Sequence, residues 1–119
     1  MLSATAAWDQ PSLGLGAVVS MRLRSGTPIE VDEGQLDELQ QRPGAELVDF
    51  ATGRVRPSQV WDVSASQRVW HRPSGGEARL AVAVLNLFDR PYAYNFGNPF
   101  SGTHFGARRA LVASVHLER

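Results

Sequence analysis

The sequence predicts an all-β fold: about five antiparallel strands in up-and-down order. Three observations carry that prediction. Apolar and polar residues alternate with a period of two through five separate segments. Between these segments lie interruptions rich in Gly and Pro, where strand continuation is blocked. The interruptions alternate in length, short then long then short then long.

The first segment, Leu2 to Trp8, puts Leu2, Ala4, Ala6 and Trp8 on one face and Ser3, Thr5 and Ala7 on the other. Asp9-Gln10-Pro11-Ser12 reads as a tight turn. Leu13 to Arg24 is the clearest strand. Leu13, Leu15, Ala17, Val19, Met21 and Leu23 alternate with Gly14, Gly16, Val18, Ser20, Arg22 and Arg24. Ser25 to Pro57 is a long interval holding seven of the twelve acidic residues, with room for a helical turn or two over 34–42 on Leu36 and Leu39. Ser58 to His71 resumes the alternation, with Trp61, Val63, Ala65 and Val69 opposite Asp62, Ser64, Ser66 and Arg68, and Gln67 as an exception on the apolar side. Arg72 to Gly76 is a turn. Glu77 to Asp89 is the fourth strand, Arg90 to Gly106 a second long interval, and Ala107 to Leu117 the fifth strand.

The twelve alternating residues from Leu13 to Arg24 exceed the five or six of an ordinary soluble strand. A tilted strand crossing a bilayer needs about 9–11 residues. Short turns on one side and long loops on the other are the asymmetry of outer-membrane barrels. The expectation is therefore an incomplete piece of a transmembrane β-barrel, with outer loops at about 25–57 and 90–106. Trp8 and Trp61 fall at opposite ends of their strands on the apolar faces, where a membrane interface would hold them. Arg22, Arg24, Asp62 and Arg68 fall on the polar faces and become lumen-facing candidates. Charge pairing between adjacent strands accounts for them equally well.

Composition narrows the rest. Formal net charge is zero, which gives no basic field for nucleic acid. There is no cysteine, so disulfides, thiolate metal sites and cysteine nucleophiles are excluded. His71, His104 and His116 lack metal-ligand spacing, and the acidic interval lacks the oxygen-ligand pattern of a calcium loop. No G-x-S-x-G elbow, dinucleotide fingerprint or phosphate loop is present, and the expectation is a protein that is neither an enzyme nor a cofactor carrier. The first residues, Met1 to Asp9, lack the basic and apolar regions of a signal peptide. An exported barrel needs one, so the chain is expected to be the tail of a longer protein.

The last forty residues also contain familiar words. Asn86-Leu87-Phe88-Asp89-Arg90-Pro91-Tyr92, then Phe105-Gly106-Ala107-Arg108-Arg109 and a last alternating strand, resemble the C-terminal end of TonB-dependent outer-membrane receptors. There an N-L-F-D-x-x-Y segment closes the penultimate strand and a G-x-x-R segment opens the final one. The chain departs from that family's habit of ending on an aromatic residue, since it ends Leu117-Glu118-Arg119. The resemblance implies a parent in the outer membrane, with a 22-stranded barrel, a plug and a TonB-contacting segment. Such receptors import scarce nutrients such as siderophores, cobalamin or glycans. Neither the plug nor the TonB-contacting segment is present in these residues, so the chain is not expected to transport alone. Its implied partners are the remaining strands and plug of the parent, outer-membrane lipid and an extracellular small molecule.

Outer loops of such receptors meet the ligand, which makes Tyr92, Tyr94, Asn95, Phe96, Asn98, Phe100 and His104 candidate contacts. Packing of the loop on its neighbours through these aromatics is the competing and favoured explanation. A small soluble all-β binding module using the 92–105 loop is the alternative for the whole chain.

Overall fold

The computed structural model describes residues 1–30, 32, 34–98 and 101–119. Among these residues nine strands form: β1 (Leu2–Gln10), β2 (Leu15–Arg24), β3 (Val48–Asp49), β4 (Arg54–Val55), β5 (Ser58–His71), β6 (Glu77–Leu85), β7 (Ala93–Asn98), β8 (Gly102–Phe105) and β9 (Ala110–Glu118). One short helix, α1 (Leu36–Gln40), and a 3₁₀ turn at Ala45–Leu47 lie between β2 and β3. The fold is all-β and antiparallel. Five strands make the main sheet in the order β1-β2-β5-β6-β9, while β3-β4 and β7-β8 are two small hairpins.

Register makes the main sheet two-faced. Leu2 lies opposite Leu23, Ala6 opposite Val19 and Trp8 opposite Ala17. Val19 lies opposite Val63 and Met21 opposite Trp61. Val63 then meets Val84, Ala65 meets Val82, and those two meet Leu111 and Ala113. Residues directly opposite share a face, so one largely apolar surface runs from β1 to β9, with Gln59 and Gln67 as its polar members on β5. The other face carries Ser3, Thr5, Ser20, Arg22, Asp62, Ser64, Ser66, Arg79, Ser114 and His116, with Val18, Val60, Leu85 and Val112 as its branched members; of these Val60, toward the cap, is buried.

Neither face of this sheet is the core. Leu111 is 74% exposed, Leu117 75% and Leu2 62%. The buried cluster instead lies among the two long intervals: Leu39, Val48, Val55, Ala93 and Phe96, flanked by Ile29, Ala45, Leu47 and Phe50. Phe50 and Phe96 meet edge to face at 6.0 Å. The molecule is a long sheet with a packed cap at one end, 71 × 22 × 19 Å. Its radius of gyration is 20.4 Å. A compact domain of this length would have about 13–14 Å.

Several expected boundaries move for local reasons. Leu13 belongs to the turn: its N–H bonds to Gln10 O at 3.2 Å, and Gly14 (φ +64) completes the reversal before β2. The fourth strand stops at Leu85, because Asn86 and Asp89 take left-handed backbone angles, φ 51 and 50. The last strand starts at Ala110, three residues later than expected. The intervals 25–57 and 90–106 are structured. Val48 and Val55 pair in one hairpin, and Ala93 and Phe105 in the other. Leu39 is the buried residue of α1, while Leu36 is 36% exposed.

Candidate functional site

The candidate contact loop folds mainly on itself. Tyr92 is 6% exposed and Phe96 3%, so these two residues are buried in the cap. The Tyr92 and Tyr94 rings meet at 5.5 Å, with their hydroxyls 3.4 Å apart. Burial, then the Tyr94 hydroxyl, push the Tyr92 phenol up from its ordinary pKa. Asn95 Oδ1 accepts the His104 backbone N–H at 2.9 Å and lies 2.9 Å from His104 Nδ1, which requires the Nδ1–H tautomer. Asn98 Oδ1 accepts the Ser101 N–H. Tyr94, Asn98 and His104 keep exposed surface. Phe100 lies outside the described residues.

The four lumen-facing candidates all sit on or beside the polar face, and three have protein partners of the expected kind. Arg22 Nη2 lies 2.8 Å from Asp62 Oδ2 across β2 and β5. Asp62 Oδ1 accepts the Asn86 N–H at 2.8 Å. Arg68 reaches Glu77 at 3.9 Å and donates to Pro11 O at 3.2 Å. Arg24 instead holds its guanidinium 4.3 Å from the centre of the Tyr94 ring.

Trp8 is 56% exposed on the apolar face, close to the β1–β2 turn. Trp61 lies on the same face toward the cap, and its carbonyl accepts the Leu87 N–H. A third tryptophan joins them that straight counting misses. Counted through, Trp70 falls with Arg68 on the polar side. A bulge between Arg68 and Trp70 instead sets Trp70 opposite Ala78, in line with Leu80 and Val82. Trp70 is 47% exposed beside the β5–β6 turn, where Arg72 lies 5.4 Å from its ring centre. Trp8 and Trp70 thus mark the short-turn end of the apolar face.

The two sequence words that carried the resemblance touch one another. Asn86 is 3% exposed and uses its whole amide. Its Nδ2 donates to Arg90 O and Ala107 O at 2.9 and 3.0 Å, and its Oδ1 accepts Arg90 N–H at 3.1 Å. Asp89 accepts from Arg108 Nε and Nη2 at 3.0 and 2.9 Å and from Arg109 N–H at 2.8 Å. The Arg108 hydrogen bonds first, then the Arg109 N–H, pull the Asp89 carboxyl down to about 2. Tyr92 packs its ring against Gly106 so closely that a side chain there would overlap it. Gly106 N–H bonds back to Tyr92 O at 2.8 Å. Three side chains of the first word therefore grip the second. Arg109, the arginine at the end of the G-x-x-R spacing, supplies only its backbone, and Arg108 supplies the guanidinium.

Among the described residues no three His, Asp or Glu gather at metal-binding distance, and no helix is long and apolar enough to cross a membrane. Comparison with protein-family models, with curated proteins and with solved structures found no match.

Proposed function

We propose that this chain is the C-terminal portion of the β-barrel of a TonB-dependent outer-membrane receptor for nutrient uptake, and that it is a structural rather than a catalytic element. One observation carries the reading. The apolar face from Leu2 to Leu117 is continuous across five strands and has no second layer over it among the described residues. In water that exposure is costly, while in hydrocarbon it is favourable.

Other features support it. The strands of the main sheet are 9 to 14 residues long, enough to cross a bilayer when tilted. The short turns fall at one end and the structured intervals at the other, with tryptophans toward both ends of the lipid-facing side. Among the described residues β1 and β9 are each paired on one side only, and barrels of this type have at least about eight strands. The free edges are the places for the remaining strands of a parent, whose plug would meet the polar face. TonB would act through parts outside this chain, and the cap would face the extracellular ligand.

The test is refolding of the purified chain with and without detergent micelles. The reading expects strand signature and a monodisperse species in micelles, and association or aggregation in water. A soluble folded monomer in plain buffer would count against it.

A further inference from the structure

Where the cap meets the main sheet, three adjoining hollows share arginine walls. One, of about 260 Å³, is lined by Arg24 and Arg56 with Ser25, Thr27, Ser58 and Tyr94. A second, of about 90 Å³, is lined by Arg56 and Arg90 with Ser58. A third and wider one, of about 680 Å³, is lined by Arg24 and Arg90 with Ser25 and Ser58. Each pair of arginines shares one hollow, and Ser58 borders all three. Among the described residues no Asp or Glu lines any of them.

That lack of carboxylates is local. Arg22, Arg42, Arg68, Arg79 and Arg108 each pair with an acid elsewhere in the chain. Glu30, Asp32, Asp37, Glu38 and Glu46, from the interval that builds the cap, are solvent-exposed and border none of these hollows. The Arg24 guanidinium carbon lies over the Tyr94 ring, 4.3 Å from its centre, and a ring contact of this kind uses none of the N–H donors, which stay available for other acceptors. Arg90 lies farther from its ring, 6.0 Å from Phe88. The Arg56 backbone N–H bonds to Leu47 O at 2.7 Å, while its side chain has no ion pair or hydrogen bond among the described residues. Three like charges around one serine repel each other unless an anion sits between them, and guanidinium edges match phosphate and carboxylate oxygens two at a time.

We infer that the hollow ringed by Arg24, Arg56 and Arg90 around Ser58 binds a small soluble anion carrying two or more phosphate or carboxylate groups. Several arginines call for more than one anionic group, and the hollows leave space for a small molecule between them. The Ser58 hydroxyl, part-buried at the start of β5, adds a neutral donor in the middle. The inference goes beyond the barrel reading and does not rest on it, because the site is built within this chain.

The test is calorimetric titration of the whole chain, refolded in zwitterionic micelles, with pyrophosphate in one arm and tricarballylate in the other. At least one should bind saturably at one per chain. Arg56→Gln should weaken binding about tenfold or more, the scale of a lost charge-assisted hydrogen bond. Arg90→Gln should do the same, Arg24→Lys should keep part of the affinity, and Arg119→Gln should change nothing. A third arm adds phosphatidylglycerol to the micelles. Binding of that headgroup without competition from either soluble anion would overturn the assignment. So would failure of both anions to bind a sample with intact strand signature, or equal binding by the Arg56 and Arg90 variants. Because the strand signature is read in the same sample, loss of the site is told apart from loss of the fold.

Discussion

The Asp89 carboxylate and the Arg108 guanidinium form a two-pronged pair, at 3.0 Å from Nε and 2.9 Å from Nη2, that ties the end of β6 to the start of β9. The pair lies on the surface, so its worth is geometric: it fixes where the final strand enters the sheet. Acid should undo it. The folded Asp89 pKa is about 2 against an ordinary 3.8. A carboxyl lowered on folding contributes fully above its unfolded value, and the contribution is lost as pH falls through the folded one. Carbon-detected NMR titration of the Asp89 carboxyl should give a midpoint near the lower figure. A midpoint at the ordinary value would show that the pair is open in solution.

Asn86 should be the least replaceable polar residue of the clasp. Asn86→Ala removes three side-chain hydrogen bonds at a buried position and puts a Cβ-bearing residue at φ 51 without the local polar bonding asparagine has there. The expected loss is about 2–4 kcal/mol in denaturant unfolding from micelles. Asn86→Gly should lose less, since it keeps the backbone angle at no steric cost. Equal losses would mean that the angle carries no energy.

Gly106 and Tyr92 should behave as one unit. Gly106→Ala drives a methyl into the Tyr92 ring, and a loss of more than about 1–3 kcal/mol is expected from overpacking. Adding Tyr92→Ala should make the glycine substitution nearly neutral in a double-mutant cycle. Additive losses would remove the contact from the account.

The cap should melt apart from the sheet. Phe96→Ala takes a ring from the only buried cluster among the described residues and should cost about 3–5 kcal/mol there. Hydrogen exchange should quicken in β7 and β8 while the centre of β5 and β6 stays protected. Uniform quickening would show that cap and sheet fold together.

The main sheet was legible in the sequence because alternation survives one-sided exposure of any kind. Alternation fixes which residues share a face but not the register, so the pairing of Val19 with Val63 and of Val63 with Val84 is added by the structure. Three features were hidden. Trp70 changes face through a bulge, which leaves no mark in a count of alternate residues. The strand ends at Asn86 and Ala110 are set by bonds between residues about twenty positions apart. Two hairpins arose inside intervals that read as loops: β3 and β4 have two residues each, too short to show a period, and the pairing of β7 with β8 is irregular, with register shifts between Ala93 and Asn95 and between Asn95 and Asn98. Of the candidate site, the polar-face positions of Arg22, Asp62 and Arg68 were readable, and their pairing was the competing explanation already open. The meeting of Arg24, Arg56 and Arg90 depends on the folding of both long intervals and has no signature in any one segment.

On the barrel reading the apolar face meets lipid. The chain has no native cysteine, so single spin labels can be placed at Val82 and Ala113 on that face and at Ser66 and Ser114 on the other. In micelles, collision rates with oxygen and with a water-soluble nickel chelate should alternate. Val82→Cys and Ala113→Cys should favour oxygen, and Ser66→Cys and Ser114→Cys should favour nickel. If the labels at 82 and 113 are shielded from both agents, the face is covered by protein, and the barrel account is contradicted in favour of a soluble two-layered module.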